Sequence, residues 1–261
     1  MKKVGIIGCG NLGLSILKGI QKNNSELTVY ASKRNLNSLD SENFGNAIIT
    51  SDNELLIKNC DVLIVALKPY TILPFLTDHK DLIDSSRHTI VSAATGVTIN
   101  QMSAVVDKGV GIYRVMPNTA SSVNESITAM CSNSDLLERR PEIESLFQSI
   151  GDVVFIEENL MESATILGAC GIAYVLRFMR AMIQGGIEVG FDATTATKIV
   201  SQTMKGASEL IIKNGTHPEQ EIDKVTTPKG CTIVGLNEME HAGFSSALIK
   251  GIVTSYQKIE K

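Results

Sequence analysis

The chain has 261 residues, 43% of them hydrophobic and 20% charged, enough to bury the core of one large domain or two ordinary ones without staples. A net charge of -4 and a pI of about 5.6 leave no broad basic surface for a phosphate backbone, which argues against nucleic acid as a partner. No lysine cluster suggests a membrane tether, and no stretch approaches the roughly 20 apolar residues that would span a bilayer, so no membrane partner is expected.

The chain opens with two lysines and a short apolar run. Glycines interrupt that run within a few residues, so it reads as a buried strand over 3–9 (KVGIIGC), not as a signal peptide. Leu12, Ile16, Leu17 and Ile20 then follow at helical spacing. Further short apolar runs come at 26–31, 60–67, 88–94, 109–115 and 152–158, separated by segments able to carry helices. Strands apolar on both faces, alternating with helices, argue for an α/β fold, a Rossmann-type doubly wound parallel sheet.

Within this pattern, GCGNLG places Gly8, Gly10 and Gly13 as GxGxxG, with Asn11 and Leu12 between them, directly after a strand and opening a helix. One glycine makes the tight turn, one admits a pyrophosphate to the backbone, and one lets helix and strand pack closely, so the segment is a candidate dinucleotide site. An NAD site usually has a carboxylate at the end of the second strand; here Ser32, Lys33 and Arg34 stand instead. Those residues suit a 2′-phosphate, and NADPH is the expected cofactor with NADH as the alternative, unless the segment is simply a solvated basic turn.

Beyond residue 160 the alternation stops. Leu160, Ala164, Leu167, Ile172, Val175, Leu176, Met179 and Ile183 form an apolar helical series; Asp192 is placed to cap a second helix, Pro218 to start a short one, and Ser245 to cap the last. The domains are therefore expected at 1–159 and 160–261. The helical part is rich in Ala and Gly and polar on few faces, which suggests that it is covered in a homodimer, with a higher assembly of dimers left open. VTTPKGCT at 225–232 breaks this helical pattern. The five cysteines, Cys9, Cys60, Cys131, Cys170 and Cys231, are scattered and never form CxxC; they read as isolated buried thiols of a cytoplasmic protein. His79, His88, His217 and His241 show no metal spacing, and no metal is expected.

Four segments together, ALKP at 66–69, SAATGV at 92–97, YRVMPNT at 113–119 and VTTPKGCT, resemble the VKP, S-x-A-A-G-V, R-x-M-P-N-T and V-T-S-P-G-G-T-T segments of the pyrroline-5-carboxylate reductases, in the same order and at similar spacing. The resemblance runs over nearly the whole chain. It implies an NAD(P)H-binding N-terminal domain, a helical dimerisation domain, and reduction of a five-membered cyclic imine to L-proline. By that likeness Leu67, Lys68 and Pro69 line the cofactor groove. Ala94, Thr95 and Gly96 lie near the nicotinamide, Met116 and Pro117 near the cofactor–substrate junction with Asn118 beside the substrate, and Asn53 near the adenosine phosphate. Thr227 and the Gly230 N–H would hold the substrate carboxylate, and the Thr232 hydroxyl would meet the imine nitrogen at the start of a helix; a plain helix cap is the alternative.

Two departures stand out. Lys229 replaces a glycine of the family's turn, at a cost of about 1 kcal/mol if that position needs positive φ. GACGIAY at 168–174 carries Cys170 and Ile172 where the family usually has serine and proline. These changes keep open a non-catalytic or altered-substrate NADPH-binding paralogue with a regulatory role. A dehydrogenase of β-hydroxy acids would need a general base, usually a lysine early in the helical domain, and residues 160–185 contain none.

Overall fold

The computed structural model describes residues 3–24, 26–36, 44–133 and 139–259. Contacts divide the chain into two compact units, one formed up to Cys170 and the other by Gly171–Lys258.

The first unit runs through β1 (Val4–Ile7), α1 (Asn11–Asn23), β2 (Val29–Ser32), β3 (Ile48–Thr50), α2 (Asn53–Asn59), β4 (Val62–Val65), α3 (Pro69–His79), β5 (Thr89–Ser92), α4 (Ile99–Ser103), β6 (Gly111–Met116), β7 (Ser126–Ser132), α5 (Arg140–Gln148), β8 (Gly151–Phe155) and the short α6 (Met161–Ala164). The eight strands form one sheet in the order β3-β2-β1-β4-β5-β6-β7-β8. Residues alternate across it: Val62 and Ile64 of β4 enter the core on one face with Ile16, Leu17 and Ile20 of α1, while Leu63 and Val65 join Leu56, Ile72 and Leu76 on the other. Burial on both faces is what makes these strands read as unbroken apolar runs.

The sequence pattern suggested a wholly parallel sheet, but the observed one is mixed. β7 runs antiparallel to β6, from Tyr113 opposite Ser132 to Met116 opposite Ala129, and β8 pairs parallel with β7. The return follows a 3₁₀ turn at Thr119–Val123 and Asn124 in the left-handed region at φ 62°, whose side-chain amide donates to the carbonyls of Gly19 (3.0 Å) and Ser149 (2.7 Å).

After α6 a π-helical turn, Thr165–Cys170, ends the first unit. The second consists of α7 (Gly171–Glu188), α8 (Ala193–Asn214), α9 (Pro218–Val225), α10 (Cys231–His241) and α11 (Phe244–Ile259, all but its last residue). Asp192 caps α8 through the N–H groups of Thr194 and Thr195, both at 3.0 Å, and Pro218 occupies the first turn of α9. Ser245 does not cap α11. The helix already begins at Phe244, after Gly243 at φ 81°, and the Ser245 hydroxyl donates to Glu240 (2.6 Å). Among the described residues of these helices only Ala196 and Val200 are buried, while Leu176, Ile212, Val234 and Ile249 are exposed.

The expectation about membrane-spanning length also needs correction. The continuous helical stretch Glu158–Glu188 is, by length and composition alone, long and apolar enough to cross a bilayer. Gly168, Ala169, Gly171 and Ala173 interrupt the large apolar side chains of this stretch, so no unbroken run of them marks it in the sequence. Nor are all five thiols buried: Cys9, Cys60 and Cys131 are, Cys170 is half-buried, and Cys231 is exposed because it opens α10. Burial pushes Cys9 and Cys60 up to about 12 and Cys131 up to about 11.

Candidate functional site

The turn after β1 is held by the end of β2. The N–H groups of Gly8 and Cys9 both donate to the Ser32 carbonyl, at 3.1 and 2.9 Å. Gly8 sits at φ 96°, and a Cβ there would lie 2.7 Å from Leu67 Cδ2 and 2.8 Å from the Ala66 carbonyl oxygen. At Gly13 a Cβ would come within 2.5 Å of the Gly8 carbonyl oxygen, so both positions need glycine for packing within the protein. Gly10 differs: a Cβ there meets nothing within 4 Å. No packing within the described residues requires glycine at this position. Helix α1 starts at Asn11 with no side-chain cap, so the N–H groups of its first turn, from Asn11, Leu12 and Gly13, lack intrahelical partners. Open backbone beside uncapped amides fits a pyrophosphate.

At the end of β2 the Ser32 side chain is buried, and its hydroxyl donates to Asn53 Oδ1 (2.7 Å) at the start of α2. The same turn carries Lys33, half-buried, and Arg34, exposed. Lys33 lies close enough to the Gly-rich turn that its charge works against burial at the Cys9 thiol. The Ser32 hydroxyl proton is thus turned toward Asn53, and the cations are the groups suited to a phosphate.

The rim beyond β4, β5 and β6 contains the remaining cofactor candidates of the first unit. Leu67 packs on the core, while Lys68 and Pro69 are exposed at the uncapped start of α3. Ala94 is buried, with its N–H 3.4 Å from Ser92 Oγ; Thr95 is half-buried, and Gly96 takes φ 73° with open space around it. Met116, Pro117 and Asn118 are buried at the end of β6. Asn118 is occupied: its Oδ1 accepts from Ala120 N (2.9 Å), its Nδ2 donates to the Gly168 carbonyl (3.0 Å), and its N–H donates to Ser126 Oγ (2.9 Å). One amide hydrogen remains for another partner.

Three residues assigned no role from the sequence meet just below this rim. The Arg114 guanidinium, 2% exposed, donates through Nη1 to Glu158 Oε1 (3.0 Å) and through Nη2 to Glu162 Oε1 (2.8 Å). Glu158 Oε1 also accepts the Ile99 N–H at 2.7 Å. An arginine inside an apolar strand was the available signal, since a buried guanidinium requires carboxylates.

In the second unit, Thr227–Gly230 forms a turn closed by the Gly230 N–H on the Thr227 carbonyl (2.9 Å). Pro228 takes the second position and Lys229 the third, at φ 62°, the left-handed conformation a type II turn demands. A Cβ on Gly230 would meet Thr227 Oγ1 at 2.6 Å. The expected carboxylate contact from the Gly230 N–H is therefore corrected: that donor closes the turn. Helix α10 follows without a side-chain cap, and Thr227 and Thr232 are both exposed. The open donors are those of the first turn after Gly230.

Comparison with known proteins bears on what these parts belong to. Residues 158–261 match the family model for pyrroline-5-carboxylate reductase dimerisation, and residues 3–96 match that for NADP oxidoreductase, coenzyme F420-dependent. Pyrroline-5-carboxylate reductase 2 of Dictyostelium discoideum is 39% identical over 100% of this chain and 93% of its own length. The chain belongs to the pyrroline-5-carboxylate reductase family. Pyrroline-5-carboxylate reductase 1 of the same organism is also 39% identical, but the chain spans only about half of it, 49%. Among solved structures, the pyrroline carboxylate reductase of Plasmodium falciparum with NADP bound superposes with a TM-score of 0.87 at 27% identity, covering 99% of this chain and 97% of that one. The pyrroline-5-carboxylate reductase of Coxiella burnetii gives 0.87 at 26%, with the same two coverages. A 3-hydroxyisobutyrate dehydrogenase of Mycobacterium tuberculosis shares the fold alone, at 14% identity and a TM-score of 0.51. Membership of the reductase family sets the β-hydroxy acid reading aside.

Proposed function

We propose that this chain reduces L-1-pyrroline-5-carboxylate to L-proline with NADPH, the last step of proline formation. The observation that carries this reading is the match over 99% of the chain to a pyrroline carboxylate reductase that holds NADP. When bound, the cofactor supplies a hydride to the imine carbon and leaves as the oxidised nicotinamide, while the imine nitrogen takes a proton.

The residues bind and orient. Gly8, Gly10 and Gly13 and the first turn of α1 receive the pyrophosphate, and Lys33 and Arg34 hold the 2′-phosphate, with Ser32 and Asn53 fixing the base of that turn. Leu67, Lys68, Pro69, Ala94, Thr95, Gly96, Met116 and Pro117 line the nicotinamide half, and Asn118 positions the loop they form. Thr227 and the amides opening α10 take the carboxylate, and the Thr232 hydroxyl hydrogen-bonds the imine nitrogen. Little covalent work falls to the protein, because correct placement of the two reacting carbons removes much of the barrier.

Dimerisation covers the exposed helices of residues 158–261, which is why a stretch apolar enough for lipid occurs here; the boundary we assign lies near residue 160. Further association of dimers, and a reducing cytoplasmic setting for the five unpaired thiols, complete the reading. A binding-only paralogue is the competing view, motivated by Lys229 and Cys170. The left-handed φ of 62° at Lys229 speaks against it, since the turn keeps the shape a glycine would give it.

The test is NADPH oxidation with pyrroline-5-carboxylate by wild type, Thr232→Ser and Thr232→Ala. Wild type and the serine variant turn over, and alanine loses about 100-fold in kcat. Equal activity of all three removes Thr232 from the site; cofactor binding without turnover in wild type selects the paralogue.

A further inference from the structure

We infer that Glu158 is a positioning residue for hydride transfer: a single carboxylate oxygen locks together the two segments that carry the nicotinamide end of the cofactor. The inference rests on the reductase reading above. In a sheet of this order, with adenosine at the end of β2 and pyrophosphate at the β1–α1 turn, the other half of a dinucleotide falls over the ends of β4, β5 and β6. Two of the loops there are 93–98 and 117–118.

The sheet itself does not fix those loops against each other. The parallel register of β5 with β6 ends at Ser92 opposite Arg114. Beyond that point Glu158 takes over. Its Oε1 accepts from Ile99 N (2.7 Å), at the far end of the β5 loop, and from Arg114 Nη1 (3.0 Å), two residues before Met116. Glu162 holds the other Nη at 2.8 Å, and Arg114 Nε, buried, has no acceptor, so among the described residues these two carboxylates anchor the guanidinium. The loop between Ser92 and Ile99 buries Ala94 and Val97 in the same core cluster as Met116, but at Gly96, φ 73°, an added Cβ would find nothing within 4 Å, so the backbone there is held by few neighbours. Loss of the shared oxygen leaves only apolar contacts, which set no direction, between that loop and Met116, and a displacement of about 1 Å is enough to cost on the order of 100-fold in a reaction governed by orientation.

The test compares Glu158→Ala and Glu158→Gln with Glu162→Gln, which removes one of the two charges facing Arg114 but keeps the shared oxygen. Thermal stability, the NADPH dissociation constant from cofactor fluorescence, kcat, and the isotope effect with NADPH deuterated at the transferred position are measured for each. Glu158→Ala is expected to lower kcat by about 10- to 100-fold and raise the isotope effect on kcat, with NADPH affinity changed less than about threefold. Glu158→Gln, which retains an acceptor for Ile99 and serves if the alanine variant does not fold, recovers part of kcat; Glu162→Gln stays within about twofold. A wild-type kcat and isotope effect in the Glu158 variants overturns the proposal, as does an equal loss in Glu162→Gln. If wild type does not reduce pyrroline-5-carboxylate, the reductase reading fails, and amide exchange of the 94–102 segment decides instead. Faster exchange in the Glu158 variants supports the clamp, and unchanged exchange overturns it.

Discussion

Gly10→Ala separates the cofactor from the fold. Gly10 has φ -81° and ψ -161°, extended backbone that alanine adopts readily, and a Cβ there touches nothing within 4 Å. Alanine also narrows the unfolded ensemble, so the variant should gain about 0.4–1 kcal/mol, which for a chain of this size raises Tm by roughly 1–4 °C. A pyrophosphate oxygen in hydrogen-bond contact with the first turn of α1 would meet the new methyl and be displaced by several tenths of an ångström. Losing even one charge-assisted hydrogen bond costs about 1.5–3 kcal/mol, at least a tenfold rise in the NADPH dissociation constant. Gly13→Ala is the contrast: its Cβ lies 2.5 Å from the Gly8 carbonyl oxygen, so strain of about 1–3 kcal/mol lowers Tm along with affinity. Scanning fluorimetry and cofactor fluorescence titration read both quantities. Wild-type NADPH affinity in a stable Gly10→Ala protein would refute the assignment of that open space to the pyrophosphate.

Other consequences are as direct. Lys229→Gly should raise Tm slightly and Lys229→Val lower it by more than about 1 kcal/mol in stability, because a β-branched side chain is least tolerated at φ 62°; equal Tm values would show that the turn has changed shape. Native protein treated with a thiol reagent at pH 8 should expose at most two of its five cysteines, since Cys9, Cys60 and Cys131 are buried with thiols pushed up to about 12, 12 and 11; full labelling before unfolding would contradict this. Burial pushes the Asp61 carboxyl up, but hydrogen bonds from Arg87 Nε (2.7 Å) and the Lys3 N–H (3.0 Å) outweigh it and hold it below 3.8. A depressed carboxylate stabilises fully above its unfolded value and loses that contribution as pH falls through the folded one, so the deficit of Asp61→Asn relative to wild type in urea unfolding should shrink below about pH 4. A deficit identical at pH 3 and pH 7 would count against it.

Much of the first unit was legible because burial on both faces writes itself into the sequence as apolar runs, and Gly8, Gly10 and Gly13 stand where a strand meets a helix. β3 was missed because Ile48–Thr50 is only three residues long, and β7 because Ser126 and Thr128 are buried polar residues within it. Both escape a test for apolar runs. The role of Gly230 failed for another reason. A sequence shows that an amide is present, not that a turn has already used it, and only the Lys229 backbone angle reveals which turn formed. Arg114 and Glu158 lie 44 residues apart, a pairing that no local spacing encodes.

The helical unit shows where legibility reaches assembly. α7 has 18 residues and none is buried, yet Val175 and Leu176 are exposed on it at 46% and 57%. Small local bonds do exist: Tyr174 Oη donates to Ser255 Oγ at 2.8 Å, and Phe178 packs on Phe244 with ring centroids 5.7 Å apart. They cannot replace a core, because hydrogen bonds net about 1 kcal/mol each while ordering costs more than that per residue. A second copy would bury these faces, and folding would then be coupled to association. Tm should accordingly rise with protein concentration over a hundredfold range, and dilution should lose helical signal and activity together. An active species of monomer mass with a concentration-independent Tm would break that coupling.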